Sequence, residues 1–454
     1  MAFKDVKLNK LLNVLEGRSQ KSEVRSQEVR RHRRRKTEVF STSDFRFFDF
    51  FYFGLRTSDF RLFDIFGKSE DGIFTSDFRL LTSVLFITNL LAKMILDQLY
   101  EKAIDLVPLS FSEGLALYNT APLEELMFVA NKLRQVHNSG KIVGWMIDRN
   151  VNITNICFSQ CSFCNFCRKK ASEDAYTTTI PEYISKIDEM ISLGGDQLLL
   201  QGGMNPDLGL EFYTDLFRNL KKMYPSLKLH ALGPPEIVYL AKKEHISYFD
   251  VLTRLIQAGL NSLPGAGAEI LSDRVRRIVS PAKASTNEWL GVMKEAHKLN
   301  LPTSATMMFG HVETIEERIE HLIHLRDLQA MKPEGHFGFI TFIPWAFQDE
   351  GTVLLNKHGV SSRYNGTDYI RMIAISRIIL NNIKNIQASI LTVGREIGML
   401  SLHSGANDLG SIMIEENVVS AAGSNNRFSA VEMQSIIKEA GFIPGRRNQK
   451  YELI

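Results

Sequence analysis

From about residue 145 to its C-terminus the chain alternates between short apolar runs and segments of helical period, and this alternation decides what it can fold into. The extended VNITNI (151–156) leads into a helix PEYISKIDEMISLG (181–194), then DQLLLQGG (196–203), a helix over 209–224, LKLHALG (227–233) and a helix over 235–258 broken near His245. LNSLPG (260–265), a helix over 285–299, TSATMMFG (303–310), a helix over 314–329 and FGFITFIPW (337–345) continue the series. It closes with a helix over 367–382, the apolar IQASILTVG (386–394), MLSLHSGANDLGS (399–411) and a last helix near 428–441. Repeats of strand and helix build parallel sheets whose connections pass over the outside. Runs such as QLLLQ and ATMMF suit strands covered on both faces. About eight units fit, the number that closes a (β/α)8 barrel with its site at the carboxyl ends of the strands. An open doubly wound sheet is the alternative.

The part ahead of the barrel is of two kinds. Residues 94–145 read as a helical lead-in: APLEELMFVANKLRQVHN (121–138) sets Leu123, Leu126, Phe128, Val129, Leu133 and Val136 on helical spacing, behind Pro122 and two glutamates. Residues 1–93 are of low complexity, with an Arg-rich run over 18–36 and TSDFR repeated at 42–46, 57–61 and 75–79. Repeats so short and unevenly spaced match no solenoid unit, so the expectation is a disordered extension, with Met94 as the native start. The first 40 residues carry +7 of a net charge of +3, leaving the body at −4. That distribution argues against a nucleic-acid binder. The apolar run LLTSVLFITNLLA (80–92) has 13 residues, where a spanning helix needs about 20, so no stable membrane insertion is expected.

All four cysteines fall within NICFSQCSFCNFCRKK (155–170). A disulfide framework would spread its thiols to close loops; clustering points instead to metal and a reducing compartment, the cytoplasm. Zinc ribbons use two separated pairs, and no second pair is present. A tight run of thiolates in one loop suits an iron–sulfur cubane. Four thiolates would close the cluster and make it an electron carrier; three would leave one iron open to a ligand. The loop follows the first strand, at the catalytic mouth of the barrel, which favours the open form.

The spacing C-x3-C-x2-C over Cys157, Cys161 and Cys164, with Phe163 before the last, resembles the signature of the radical S-adenosylmethionine superfamily. The resemblance implies that these three cysteines ligate a [4Fe–4S] cluster and that S-adenosylmethionine takes the fourth iron. One electron from a flavodoxin- or ferredoxin-type reductant would then cleave it to methionine and a 5′-deoxyadenosyl radical. Cys167 departs from the pattern, which has a non-ligand there, and is expected to be a packing thiol beside the cluster. QGGMNP (201–206) resembles the superfamily's Gly-Gly segment, so Gln201, Gly202 and Gly203 are expected to face the methionine end of the cofactor, glycine permitting a close approach. MFGHVE (308–313) resembles the stretch that contacts adenine.

The likeness extends over most of residues 95–454. LPGAGAEILSDRVRRIVSP (263–281) and SATMMFGHVET (304–314) are most similar to the cyclic dehypoxanthine futalosine synthases of menaquinone biosynthesis, in a subgroup shared with aminofutalosine synthases and F0 synthase subunits. What this implies is a nucleoside-type small-molecule substrate, hydrogen abstraction from its ribose C4′, addition to a benzoate ring, and loss of a proton and an electron. Phe163, Glu269 and His311 join the cofactor candidates; His230, Glu236, Arg276 and Glu313 are the catalytic or substrate candidates, all near expected strand ends. The rivals are another enzyme of the subgroup and, from a different class, a non-catalytic iron–sulfur electron carrier.

Overall fold

The computed structural model describes residues 74–415, 417, 419–424 and 426–454, with side-chain surroundings from residue 86 onward. The Arg-rich run and the first two TSDFR repeats lie outside the described residues. The chain divides into two units, Met1–Leu81 and Thr82–Ile454, and the architecture below is that of the second.

Three helices lead in: α1 (Phe74–Ile104), α2 (Phe111–Thr120) and α3 (Leu123–His137). α1 runs through Met94 and buries Leu96, Leu99, Tyr100 and Ala103. No described helix is long and apolar enough to cross a membrane. α2 starts at a reciprocal cap, in which Ser110 and Glu113 each accept from the other's backbone N–H; such a pair satisfies two of the donors a helix start leaves free.

The barrel follows in chain order. β1 (Ile142–Met146) and β2 (Asp148–Asn152) make the first strand in two segments, then come α4 (Ile180–Ser192), β3 (Gln197–Gln201), α5 (Leu210–Met223), β4 (Lys228–Ala231), α6 (Pro234–Glu244) and α7 (Tyr248–Ala258). After these come α8 (Asp273–Val279), α9 (Thr286–Lys298), β5 (Thr303–Phe309), α10 (Ile315–Ala330), β6 (Phe339–Ala346), α11 (Val353–His358) and α12 (Gly366–Ile379). The chain ends with β7 (Asn385–Ile386), α13 (Ile390–Leu402), β8 (Asp408–Ser411), α14 (Ala430–Glu439) and β9 (Ile443–Arg446).

Parallel pairing runs β2–β3–β4, β5–β6–β7 and β8–β1. Single parallel bridges fill the gaps. His230 with Ser262 and Leu263 with Thr303 insert LNSLPG as the fourth strand, and Gln387 with Asp408 joins the seventh strand to the eighth. The amides of Ile412 and Ile414 donate to the carbonyls of Met146 and Asp148, both at 3.1 Å, and so return the eighth strand to the first. The ring of eight is closed, which rules out the open sheet.

Two local expectations change. The first strand ends at Asn152 rather than running to 156; beyond it Thr154 bridges Thr177 and Ile156 bridges Arg168, so 153–156 already form the base of the cysteine loop. IQASILTVG supplies a two-residue strand and the start of α13, bent where Gly394 takes φ 80° and ψ −177°. A short apolar run fits strand and helix equally well by period.

The C-terminal segment plugs the amino end of the barrel. β9 pairs with β1, and past it Arg447 Nη2 donates to Asp408 Oδ1 at 2.8 Å while its guanidinium lies 3.8 Å from the centre of the Tyr451 ring. Gln449 accepts from Gln197 at 3.1 Å and reaches His230 Nε2 at 3.4 Å.

Candidate active site

The cysteine loop lies across the carboxyl end of the barrel and is tied down by several of the loops and helices that follow the strands. The amide of Cys157 donates to Arg168 (3.0 Å), Phe158 to Met204 (3.1 Å) and Ser162 to Val279 (2.9 Å), while Leu354 donates to Ser162 (2.8 Å). Asn165 Nδ2 adds bonds to the carbonyls of Glu350 (2.8 Å) and Ala421 (2.9 Å). Gln160 turns the loop in the left-handed region, φ 44°. A segment held this way keeps its side chains at fixed stations.

Those side chains open onto one cavity of about 350 Å3, whose wall includes Cys157, Cys161, Phe163, Cys164 and Cys167. All four thiols are free. Among the described residues no three Cys, His, Asp or Glu side chains gather about one point as a single metal ion requires. A cubane sets a different test: its thiolates sit at separate corners, one per iron, and a set of soft thiolates along one rigid loop fits that group. Burial pushes Cys161 up to about 11. Cys164 is pulled down to about 6, first by a hydrogen bond from the Cys167 thiol, against the opposing effect of burial. The same contact drives Cys167 far up. Cys167, whose Sγ also lies 3.5 Å from the Cys164 carbonyl oxygen, is therefore the protonated donor of the pair.

Beneath the loop, β3 ends at Gln201 and runs on into Gly202 and Gly203, all three on the cavity wall. A Cβ on Gly202 would come 2.9 Å from the Thr154 carbonyl oxygen, and one on Gly203 2.9 Å from Cys157 Cβ. The glycines are thus required by the cysteine loop itself, which packs on them; the Gly203 amide donates to Thr154 O at 2.7 Å.

Glu236, Glu269 and His230 also line the cavity. Glu269 has φ 41° and its side chain is 4% exposed, 3.1 Å from Lys283 Nζ. Lys283 is the residue the sequence reading missed. Its ammonium stands 5.2 Å from the centre of the Phe163 ring; burial disfavours its charge, but Cys161, Glu269 and Glu236 outweigh that and hold it protonated. Burial raises Glu236 to about 7 and lowers His230 to about 3, so the imidazole is neutral, with Nδ1 2.7 Å from Ser262 Oγ.

Arg276, His311 and Glu313 stand off the cavity wall. Arg276 is 3% exposed and spends its donors on the carbonyls of Ala268 (2.7 Å), Gly267 (3.1 Å) and Ala284 (2.7 Å), pinning the loops that carry Glu269 and Lys283. Glu313 accepts from the amides of Gly310 and His311 and from Arg318 (2.6, 2.9 and 2.8 Å). His311 Nε2 is 3.0 Å from Met308 O. The pair shapes the end of β5 from behind. Lys283 stands two places after Pro281 in SPAK, where its sequence context matches that of any surface lysine. Asn150 and Asn152, also on the wall, show in the sequence only as alternate polar residues before the cysteines.

Comparison with known proteins accords with this geometry. Residues 151–325 match the model of the radical SAM superfamily, and residues 336–454 match the CofH/MqnC C-terminal region. A cyclic dehypoxanthine futalosine synthase from Halalkalibacterium halodurans is 39% identical over 80% of this chain and 95% of its own. A 5-amino-6-(D-ribitylamino)uracil–L-tyrosine 4-hydroxyphenyl transferase from Methanosarcina mazei is 38% identical over 73% of this chain and 85% of its own. The crystal structure of HydG, a maturase of the [FeFe]-hydrogenase, superposes with a TM-score of 0.62 at 14% identity over 79% of this chain and 77% of that one. The chain belongs to the radical SAM superfamily, in the family that carries the CofH/MqnC C-terminal region, and its cofactors are a [4Fe–4S] cluster and S-adenosylmethionine.

Proposed function

We propose that the protein is the cyclase that converts dehypoxanthine futalosine to its cyclic form, closing a bond between the ribose C4′ and the benzoate ring with loss of two hydrogens. The reading rests on a relative of that name matched over 95% of its length, together with a cavity that runs from a thiol-bearing loop down into the barrel, its largely apolar wall carrying Glu236, Glu269, His230 and Lys283. In it Cys157, Cys161 and Cys164 hold the cluster, and the wall at Phe163, Gln201, Gly202 and Gly203 receives the cofactor. When bound, cluster and cofactor supply a carbon radical able to remove an unactivated hydrogen. The protein's own task is placement of the substrate C–H bond and exclusion of water. Glu236, its acidity tuned near neutrality by burial, takes the proton released when the aromatic ring is restored. Lys283 pairs with Glu269 beside the cysteine loop and offers the cavity a positive charge for a carboxylate. The starting electron comes from a flavodoxin- or ferredoxin-type reductant in the cytoplasm, and the oxidised cluster would take up the electron released with that proton.

Anaerobic incubation of reduced, reconstituted protein with S-adenosylmethionine and dehypoxanthine futalosine tests this. A product two hydrogens lighter, formed with 5′-deoxyadenosine, is expected. Unchanged substrate, with turnover of L-tyrosine and 5-amino-6-(D-ribitylamino)uracil instead, would assign the chain to the transferase branch.

A further inference from the structure

The seventh strand brings to the cavity a polar feature that the reaction outlined above does not use. Gln387 and Ser389, alternate residues just past β7, both line the cavity and both are half-buried. The C-terminal plug sets which way the Gln387 carboxamide faces. Arg447 Nη2 and the Tyr451 hydroxyl each reach Gln387 Oε1 at 3.4 Å. A guanidinium can only donate, so the atom turned to it is the oxygen and the amide nitrogen is left over. That nitrogen passes over Gly410, where any Cβ would collide with it. It has no hydrogen-bond partner among the described residues, yet it is not closed off from solvent. Ser389 stands at the start of α13, where a serine hydroxyl ordinarily accepts from a helix amide. Here it makes no such bond, has no other side-chain partner among the described residues and is likewise open.

The chemistry of the two groups narrows what they receive. The amide nitrogen has only hydrogens to give, and the hydroxyl can turn its own to match. Ile343, Ile390, Leu391 and Leu409 share the wall with them. A ligand suited to this corner has an apolar body ending in acceptor oxygens. An ionised carboxylate on an aromatic ring is such a group: two oxygens, no proton, and hydrogen bonds strengthened by its charge. A sugar hydroxyl brings a proton of its own, which Gln387 Nε2 has nothing to accept with.

We infer that Gln387 and Ser389 bind the benzoate carboxylate of the substrate, Gln387 Nε2 donating to one oxygen and Ser389 Oγ to the other. The inference rests on the substrate reading given above. Lys283, also on the wall, is paired with Glu269 and lies beside Phe163 of the cysteine loop. That end of the cavity, with Gly202 and Gly203 past the second strand, is the cofactor's. The seventh strand stands elsewhere on the ring, joined to the eighth. A carboxylate held there draws the aromatic ring to that wall and leaves the ribose towards the cofactor.

The test uses reconstituted holoenzyme. Gln387→Glu keeps an oxygen for Arg447 and Tyr451 but puts a second acceptor where Nε2 was, and Ser389→Ala removes the hydroxyl alone. In each, KM for dehypoxanthine futalosine is expected to rise about 10- to 100-fold, with the dissociation constant for S-adenosylmethionine unmoved. An analogue carrying a primary carboxamide in place of the carboxylate separates recognition from folding. Wild-type enzyme should prefer the acid, whereas Gln387→Glu should prefer the amide, whose N–H the new carboxylate accepts. An unaltered KM in both variants, or a preference for the acid in Gln387→Glu equal to that of wild type, would overturn the inference. So would weakened S-adenosylmethionine binding with KM preserved, since the carboxylate held there would then be the cofactor's. A wild type that leaves dehypoxanthine futalosine untouched defeats the substrate reading and this inference together, and the wild-type reaction alone reveals that case.

Discussion

Gly203 and Ile156 approach so closely that any side chain at 203 would overlap the Ile156 carbonyl oxygen, and a Cβ there would also come 2.9 Å from Cys157 Cβ. The end of the second barrel strand is thus the seat of the cysteine loop. Neither neighbour is the flexible tip of a side chain, so the strain has nowhere to go but into the loop.

Gly203→Ala is therefore expected to displace Cys157. Overpacking of this kind costs about 1–3 kcal/mol, and the functional loss should exceed the loss of stability. Iron and sulfide per chain after reconstitution should fall to less than half of the wild-type content, while circular dichroism still reports the barrel. Full cluster content in the alanine variant would show that the loop does not depend on this contact.

Lys283 and Glu269 form an ion pair at 3.1 Å, their side chains 19% and 4% exposed. Removing the lysine leaves a carboxylate buried without its partner, which costs about 3–5 kcal/mol. Lys283→Ala should lower the denaturant midpoint accordingly, and adding Glu269→Gln should recover a large part of the loss. A single variant as stable as wild type would mean that the pair contributes nothing.

Burial raises Glu236 to about 7 from its ordinary 4.5. As a base it works ionised, so turnover should climb as pH rises through 7, and Glu236→Gln should flatten that limb and lower kcat about 10^2- to 10^4-fold. Stability runs the other way. The neutral acid is the better buried form, so its contribution is complete below pH 4.5 and is lost as pH rises through 7. Deuterium placed at the ribose C4′ should still reach 5′-deoxyadenosine in the glutamine variant. A pH profile identical to wild type would remove Glu236 from the proton transfer.

The sequence carried the barrel because its signal is periodic: runs such as QLLLQ and ATMMF between amphipathic helices have few other uses. The cysteine loop was legible for the same reason, all four thiols falling within eleven positions. What stayed hidden depends on contacts between distant segments. Arg276 and His311 look like site residues beside their motifs, yet they bond to backbone carbonyls away from the cavity. Lys283 gains its meaning from Glu269 and Phe163 across the loop. Gln449 lies 219 residues from His230 in the chain and within 3.4 Å of it in space; no local pattern announces such a pairing. The fourth strand, reduced to bridges at Ser262 and Leu263, is placed by its neighbours.

The central claim is that three thiolates hold the cluster and the fourth, Cys167, does not. Electron paramagnetic resonance of the reduced Cys167→Ala protein, before and after S-adenosylmethionine is added, measures it most directly. We expect cluster content equal to wild type and a spectrum that changes on addition, because the nucleoside docks on the uncapped iron. Loss of the cluster together with Cys167, or a signal indifferent to the added nucleoside, would contradict the account.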